Sequence, residues 1–309
     1  MKLYFAPMEG ITDSIYRRLH HRYFPGMDRY YMPFMSPTVH RCLTHKEDRE
    51  LPPAESQGFT AVPQILTKNP EDFLWAARQC QDRGYELVNL NLGCPSGTVV
   101  AKGKGAGMLA DPAALESFLD RIFSQSPIPI SIKTRVGIQE GEEFPTLLEI
   151  FNGYPAQELI IHPRVRKDFY NPPLRMEWFE YAIQNTTIPL CYNGDIFSSA
   201  DLTKIQDRFP QLDAIMIGRG LIGNPGMLTP GGTTIPLLEA FHNDLLESYT
   251  QCFGSSRNAM FRMKENWHYL IEHFEGGEKL FKQLRKTTDL QEYKRITGEI
   301  FHTIPFITE

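Results

Sequence analysis

The sequence predicts an α/β chain, a (β/α)8 TIM barrel followed by a small all-helical C-terminal domain. Three observations carry this reading. Eight short apolar segments rich in β-branched and aromatic residues recur at fairly even spacing, stretches that read as helix separate them, and no strand pattern returns after Gly231-Gly232-Thr233-Thr234-Ile235-Pro236. Strand then helix, eight times over, is the pattern of a parallel barrel, whose usual size is about 250 residues. A doubly wound open sheet is the competing arrangement. The expected division is a barrel over 1–235 and a helical domain over 236–309.

In chain order the strands are expected at Leu3 to Met8, Tyr30 to Met35, Ala61 to Leu66, Leu87 to Gly93, Pro129 to Arg135, Leu159 to His162, Pro189 to Asn193 and Ala214 to Gly218. Helices are expected at Asp13 to Tyr23, Pro70 to Arg83, Pro112 to Phe123, Met176 to Gln184 and Ser198 to Arg208. Asn69-Pro70 and Asp111-Pro112 each set an N-cap residue before a proline at the first helical position, and Ser198 or Ser199 can cap the last helix. The charged run from His40 to Gly58 gives no clear second helix. In the tail, Leu237, Leu238, Phe241, Leu245, Leu246 and Tyr249 share one face, as do Met260, Met263, Trp267, Leu270, Ile271 and Phe274. Breaks at Gly254, Gly276-Gly277 and Thr287-Thr288-Asp289 divide that tail into about four helices.

Composition narrows the class. A formal charge of −5, 41% hydrophobic and 22% charged residues describe an ordinary globular chain and give no overall basic signature of nucleic-acid binding. The five cysteines, Cys42, Cys80, Cys94, Cys191 and Cys252, include no C-x-x-C pair, so neither a disulfide framework nor a bound metal is expected, and a reducing cytoplasm is. The first residues lack a signal peptide's apolar region, and no run approaches a membrane span. No membrane partner is expected, and the chain is read as a monomer.

In a barrel the chemistry lies where the strands end. Those ends carry Pro7-Met8-Glu9, Gln64, Asn91 and Cys94, Lys133 and Arg135, His162 and Arg164, Asn193-Gly194-Asp195, and Gly218-Arg219-Gly220. Taken singly, each has a structural explanation: a solvated strand end, a core histidine, an ordinary turn. Their gathering at one rim does not. Asn193-Gly194-Asp195 and Gly218-Arg219-Gly220 follow the last two strands, where glycine admits backbone N–H groups to an anion and arginine adds charge, the usual place for a phosphate. Gln64 and Lys133 can meet the carbonyl and nitrogen edge of a planar ring such as a flavin.

The segments Ala6-Pro7-Met8-Glu9-Gly10-Ile11-Thr12-Asp13, Asn91-Leu92-Gly93-Cys94-Pro95, Gly105-Ala106-Gly107-Met108-Leu109, Ile132-Lys133-Thr134-Arg135-Val136-Gly137, Tyr192-Asn193-Gly194-Asp195-Ile196 and Met216-Ile217-Gly218-Arg219-Gly220 together resemble the tRNA-dihydrouridine synthases. Arg262-Met263-Lys264 before Trp267 and Tyr269 is similar too. The resemblance implies FMN at the barrel mouth, with Pro7, Met8 and Glu9 lining the ring and Gln64, Lys133 and His162 around its polar edge. Asn193, Gly194, Asp195, Gly218 and Arg219 would hold the phosphate. It also implies NADPH as reductant, a uridine in RNA, most naturally tRNA, as substrate, and Cys94 as the acid that protonates C5. A thiol, whose ordinary pKa is about 8.5, is mostly protonated at neutral pH.

The resemblance leaves Asn91 to orient the base. Lys102, Arg135 and Arg164 would touch RNA, joined by Lys104, Arg166, Lys167 and the basic residues of the tail. The chain departs from many members at Gly97-Thr98 and at His162-Pro163-Arg164-Val165, and the stretch Arg166 to Pro173 has no close counterpart. Two other readings stand beside this one: a flavin barrel acting on a free pyrimidine or another small molecule, and a flavin-free RNA-binding protein.

Overall fold

The structure, a computed structural model, describes residues 1–38 and 40–308. Its elements in order are β1 (Lys2–Phe5), α1 (Ser14–Tyr23), β2 (Arg29–Tyr31), α2 (His45–Glu50), β3 (Ala61–Val62), β4 (Gln64–Ile65), α3 (Pro70–Gln81), β5 (Val88–Leu92), α4 (Gly97–Val100), α5 (Pro112–Gln125), β6 (Ile130–Arg135), α6 (Phe144–Asn152), β7 (Leu159–His162), α7 (Met176–Asn185), β8 (Leu190–Asn193), α8 (Ser199–Arg208), β9 (Ala214–Ile217), α9 (Arg219–Gly223), α10 (Ile235–Phe253), α11 (Ser256–Leu270), α12 (Glu278–Lys286) and α13 (Leu290–Thr303).

The sheet order is β3-β2-β1-β9-β8-β7-β6-β5-β4. Its two edges, β3 and β4, are consecutive in the chain and separated only by Pro63, so the nine strands are an eight-stranded TIM-type barrel with one strand broken. The break has a chemical cause: proline has no N–H to give the ladder. The run still bonds both neighbours, Val62 O accepting from Met32 N and Pro63 O from Asn89 N, both at 2.9 Å. That closes the ring.

By contact the chain forms two compact units. The first, Met1–Pro7, Asp28–Gly194 and Gln211–Met216, contains the barrel strands except for Ile217, the last residue of β9. Alternate residues point inward, as the period of a strand requires. One side of the interior is apolar, with Tyr4, Ala6, Tyr31, Val62, Ile160, Cys191, Ala214 and Met216 in one buried cluster. The other side is polar, with Gln64 opposite Asn89, Asn89 opposite Ser131 and Asn91 opposite Lys133 in register. At the end where the strands begin, the buried Glu158 carboxylate accepts from Tyr4 Oη at 2.8 Å and Tyr31 Oη at 2.9 Å.

The first two expected strands overshoot. β1 stops at Phe5 because Pro7 follows and Met8 enters a turn, and β2 stops at Tyr31 because Pro33 intervenes. In the charged run, α2 is opened by a Thr44–Glu47 capping box and buries none of its side chains. A helix with no buried face leaves no apolar period to read.

The second unit is Met8–Met27, Asp195–Pro210 and Ile217–Glu309. Phe241 of α10 meets Tyr16, Tyr23 and Phe24 of the α1 segment edge-on at 5.5, 5.8 and 5.2 Å. The four expected tail helices, α10 to α13, pack around Trp267, whose Nε1 donates to Tyr293 Oη at 3.0 Å and to His242 Nε2 at 3.2 Å. Burial pushes the His242 and His20 imidazoles down to about 4 and about 3. Unfolded, both return to the ordinary 6.5, so between 6.5 and those values the unfolded chain binds more protons and stability falls as the pH drops. At full effect each costs about 1.4 kcal/mol per pH unit. We expect the melting temperature to fall from pH 6.5 to 4, less steeply in His242→Gln; equal slopes would place the acid sensitivity elsewhere.

Candidate active site

Cys94 is presented by a turn that its own strand builds. β5 ends at Leu92, and Asn91 turns its Oδ1 back to accept from Gly93 N at 3.1 Å and Cys94 N at 2.9 Å. The returning chain seals the turn, with Ala106 N donating to Cys94 O at 3.1 Å. Gly105 has φ +58, and a Cβ there would sit 3.0 Å from both the Cβ and the carbonyl oxygen of Cys94. Only glycine fits. Cys94 is left half-buried, its Sγ making no hydrogen bond among the described residues.

Lys133 stands on the neighbouring strand β6, paired in register with Asn91. It is half-buried and has no hydrogen-bond or ion-pair partner among the described residues. Burial, with the charge of Arg135 adding to it, pushes its amine down to about 8. A desolvated amine without a partner is costly unless something binds to it. Gln64 is buried, donating from Nε2 to Asn89 Oδ1 and accepting at Oε1 from Asn91 Nδ2, both at 2.7 Å.

The two arginines expected to touch RNA face inward instead. Arg135 is 1% exposed, its Nε donating to Gly93 O at 2.9 Å and Nη1 to Val165 O at 3.1 Å, with its guanidinium 5.4 Å from the Tyr170 ring centre. Arg164 is fully buried and donates to Asn171 O at 2.8 Å and to His162 Nε2 at 3.2 Å. A guanidinium close to backbone carbonyls spends its donors there, because each buried carbonyl needs one. Both residues therefore brace the rim loops. Arginine donates and never accepts, so His162 Nε2 is the acceptor and Nδ1 carries the proton. Lys102 is exposed, whereas Lys104 Nζ donates to Ser36 Oγ at 3.1 Å and Lys167 pairs with Glu140.

The loop after β7 carries groups the sequence reading did not single out. Tyr170 is 52% exposed and stacks on His162, ring centres 6.1 Å apart, and Phe169 beside it is 41% exposed. The signal was present as Phe169-Tyr170-Asn171 in a loop following a barrel strand, but nothing in a pattern says which way such a loop folds. On β8, Asn193 donates from Nδ2 to Met216 O at 2.8 Å and Gly194 follows, buried.

In the second unit, Met8 opens a tight turn: Met8 N donates to Thr12 Oγ1 at 2.8 Å, and Ile11 N and Thr12 N both reach Met8 O at 3.0 Å. Pro7 and Met8 are half-buried and Glu9 is exposed. Two arginines clamp the turn: Arg17 Nη1 donates to Thr12 O at 2.7 Å, and Arg262 of α11 donates to Gly10 O and lies 3.9 Å from Asp13. Tyr249 Oη donates to Asp13 at 3.0 Å, and Asp13 also caps α1. Arg219 pairs with Asp195 at 2.7 Å, its guanidinium 5.0 Å from the Phe197 ring centre. A Cβ on Gly220 would lie 2.1 Å from Ile196 O, so the backbone after Gly218 runs too close for any side chain.

Among the described residues no helix is long and apolar enough to cross a membrane. Residues 4–302 match the model of the dihydrouridine synthase family. The probable tRNA-dihydrouridine synthase 1 of Synechocystis is 27% identical over 96% of this chain and 86% of its own length. The tRNA-dihydrouridine(16) synthase of Shewanella oneidensis is 28% identical over 98% and 99%. Among solved structures, a morphinone reductase matches 73% of this chain and 84% of its own at 11% identity and a TM-score of 0.51, a likeness of fold.

Proposed function

Because the chain belongs to the dihydrouridine synthase family, we propose that it reduces a uridine base in tRNA to 5,6-dihydrouridine, with FMN as cofactor, NADPH as reductant and Cys94 as proton donor. The observation that carries the reading is the pairing of Asn91 with Lys133: a cysteine turn and an unpartnered, half-buried amine leave adjacent strands at the same rim. The residues fit a flavin. Lys133 lacks a partner that a ring carbonyl or nitrogen would supply.

In this reading Gln64, Lys133 and His162 take the polar edge of the ring and Pro7, Met8 and Glu9 line it. Asn193, Gly194, Asp195, Gly218 and Arg219 hold the phosphate. Held by these residues, FMN would supply hydride chemistry directed at C6 of the uracil, with NADPH as the source of electrons. Cys94 supplies the proton to C5, so one hydride and one proton saturate the C5–C6 bond and NADPH leaves as NADP+. Asn91 orients the base with its remaining N–H. Lys102 and the exposed Lys279, Lys282, Arg285 and Lys286 of α12, in the helical domain 236–309, meet tRNA phosphates. The base must be turned out of its stack to react, at a cost of a few kcal/mol. We place the chain in the cytoplasm as a monomer without a metal.

The test is in cells. Bulk tRNA from a strain lacking the gene should lose dihydrouridine at a defined position and regain it on complementation. Unchanged dihydrouridine content, or a purified protein that is colourless and takes up no FMN, would sink the reading.

A further inference from the structure

The polar side of the barrel interior is one directed chain of hydrogen bonds ending at Cys94. Asn91 Oδ1 accepts from two backbone N–H groups, Gly93 and Cys94, so that atom is oxygen and Nδ2 faces the other way. Nδ2 donates to Gln64 Oε1 at 2.7 Å, Gln64 Nε2 to Asn89 Oδ1 at 2.7 Å, and Asn89 Nδ2 to Ser131 Oγ at 2.9 Å. Ser131 Oγ then donates to Val88 O at 3.4 Å. Main-chain donors fix one end and a main-chain carbonyl the other, so no amide can flip without setting N–H against N–H or oxygen against oxygen. All four side chains are buried, where a mismatched pair costs most.

We propose that Asn89 and Ser131, which lie too deep along their strands to touch a ligand at the rim, are positioning residues that hold Asn91 and Gln64 in this orientation. The consequence concerns specificity and rests on the functional reading above. With both lone pairs of Oδ1 engaged, Asn91 meets its ligand as a donor alone. It pairs with a pyrimidine carbonyl and opposes an exocyclic amino group, so the ladder favours uracil over cytosine.

The test uses Asn89→Leu, Asn89→Asp and Ser131→Ala in the flavin-loaded enzyme, with two readouts. One is the rate of Cys94 alkylation by iodoacetamide, scored by mass spectrometry against the exposed Cys42 in the same molecule. The other is kcat and KM on tRNA from cells lacking the gene. Asn89→Leu should shift the Cys94/Cys42 ratio severalfold and lower kcat about 10- to 100-fold, more than it changes KM. Ser131→Ala should move both in the same direction by less. Asn89→Asp still accepts from Gln64 and takes the Ser131 hydroxyl as donor, so it should recover most of the rate.

Wild-type ratios and kcat in Asn89→Leu, or an aspartate variant as impaired as the leucine one, overturn the proposal. If Asn89→Leu does not fold, Ser131→Ala decides. If the wild-type enzyme leaves tRNA unreduced, the functional reading fails, and the alkylation ratio still judges the ladder.

Discussion

Cys94→Ala is expected to cut turnover on tRNA by about 100- to 10,000-fold, the range of a lost general acid, while the protein keeps its flavin and its reduction by NADPH. The turn does not need the sulfur. Its order comes from Asn91 Oδ1, from the Ala106 N–H and from the glycine at 105, none of which touches Sγ. On the proposed mechanism, what the variant lacks is a proton to place on C5 after hydride arrives at C6. Cys94→Ser keeps the shape but is a far weaker acid, so it should fall between alanine and wild type only if bulk water can reach the base. The measurement is a single turnover: enzyme reduced with NADPH, mixed with tRNA, and followed by flavin reoxidation and dihydrouridine formation. A wild-type rate in Cys94→Ala would remove the residue from the proton-donor role.

Much of this architecture is legible because it follows from local rules. The strands at Leu159 to His162 and Ala214 to Gly218 end within one residue of expectation, since buried parallel strands read as apolar runs closed by polar or glycine residues. Helices α3 and α5 begin at their Asn-Pro and Asp-Pro signals. What pattern reading misses is direction. Arg135 and Arg164 look like surface cations in the sequence, yet their guanidinium groups turn inward to carbonyls of neighbouring loops, a pairing set by residues 30 or more positions away or by a loop without regular structure. Asn89 and Ser131 carry no signal of their own in the sequence for the same reason. Their significance lies in cross-strand register, which hydrophobic period does not encode.

The second large effect separates the two ends of the cofactor. Lys133→Met should weaken FMN and riboflavin alike by about 10- to 100-fold, the worth of a hydrogen bond from a charged group, because the proposed assignment sets the amine against the ring that both molecules share. Arg219→Ala should weaken FMN by a similar factor and leave riboflavin, which has no phosphate, unchanged. Acidity adds a sign. Burial holds the Lys133 ammonium near 8 against an ordinary lysine value of about 10.4, so the flavin-free protein should gain stability as the pH rises from about 8 towards that value and the buried charge is relieved. A ring acceptor favours the charged amine, so wild-type affinity for riboflavin should decline above about pH 8, and Lys133→Met should show no such decline. Titration by fluorescence quenching across pH 6.5 to 9.5 reads the affinities, and melting of the flavin-free protein over the same range reads the stability. Equal losses of riboflavin in both variants would mean that Arg219 contacts the ring or its support, and the phosphate assignment would have to move.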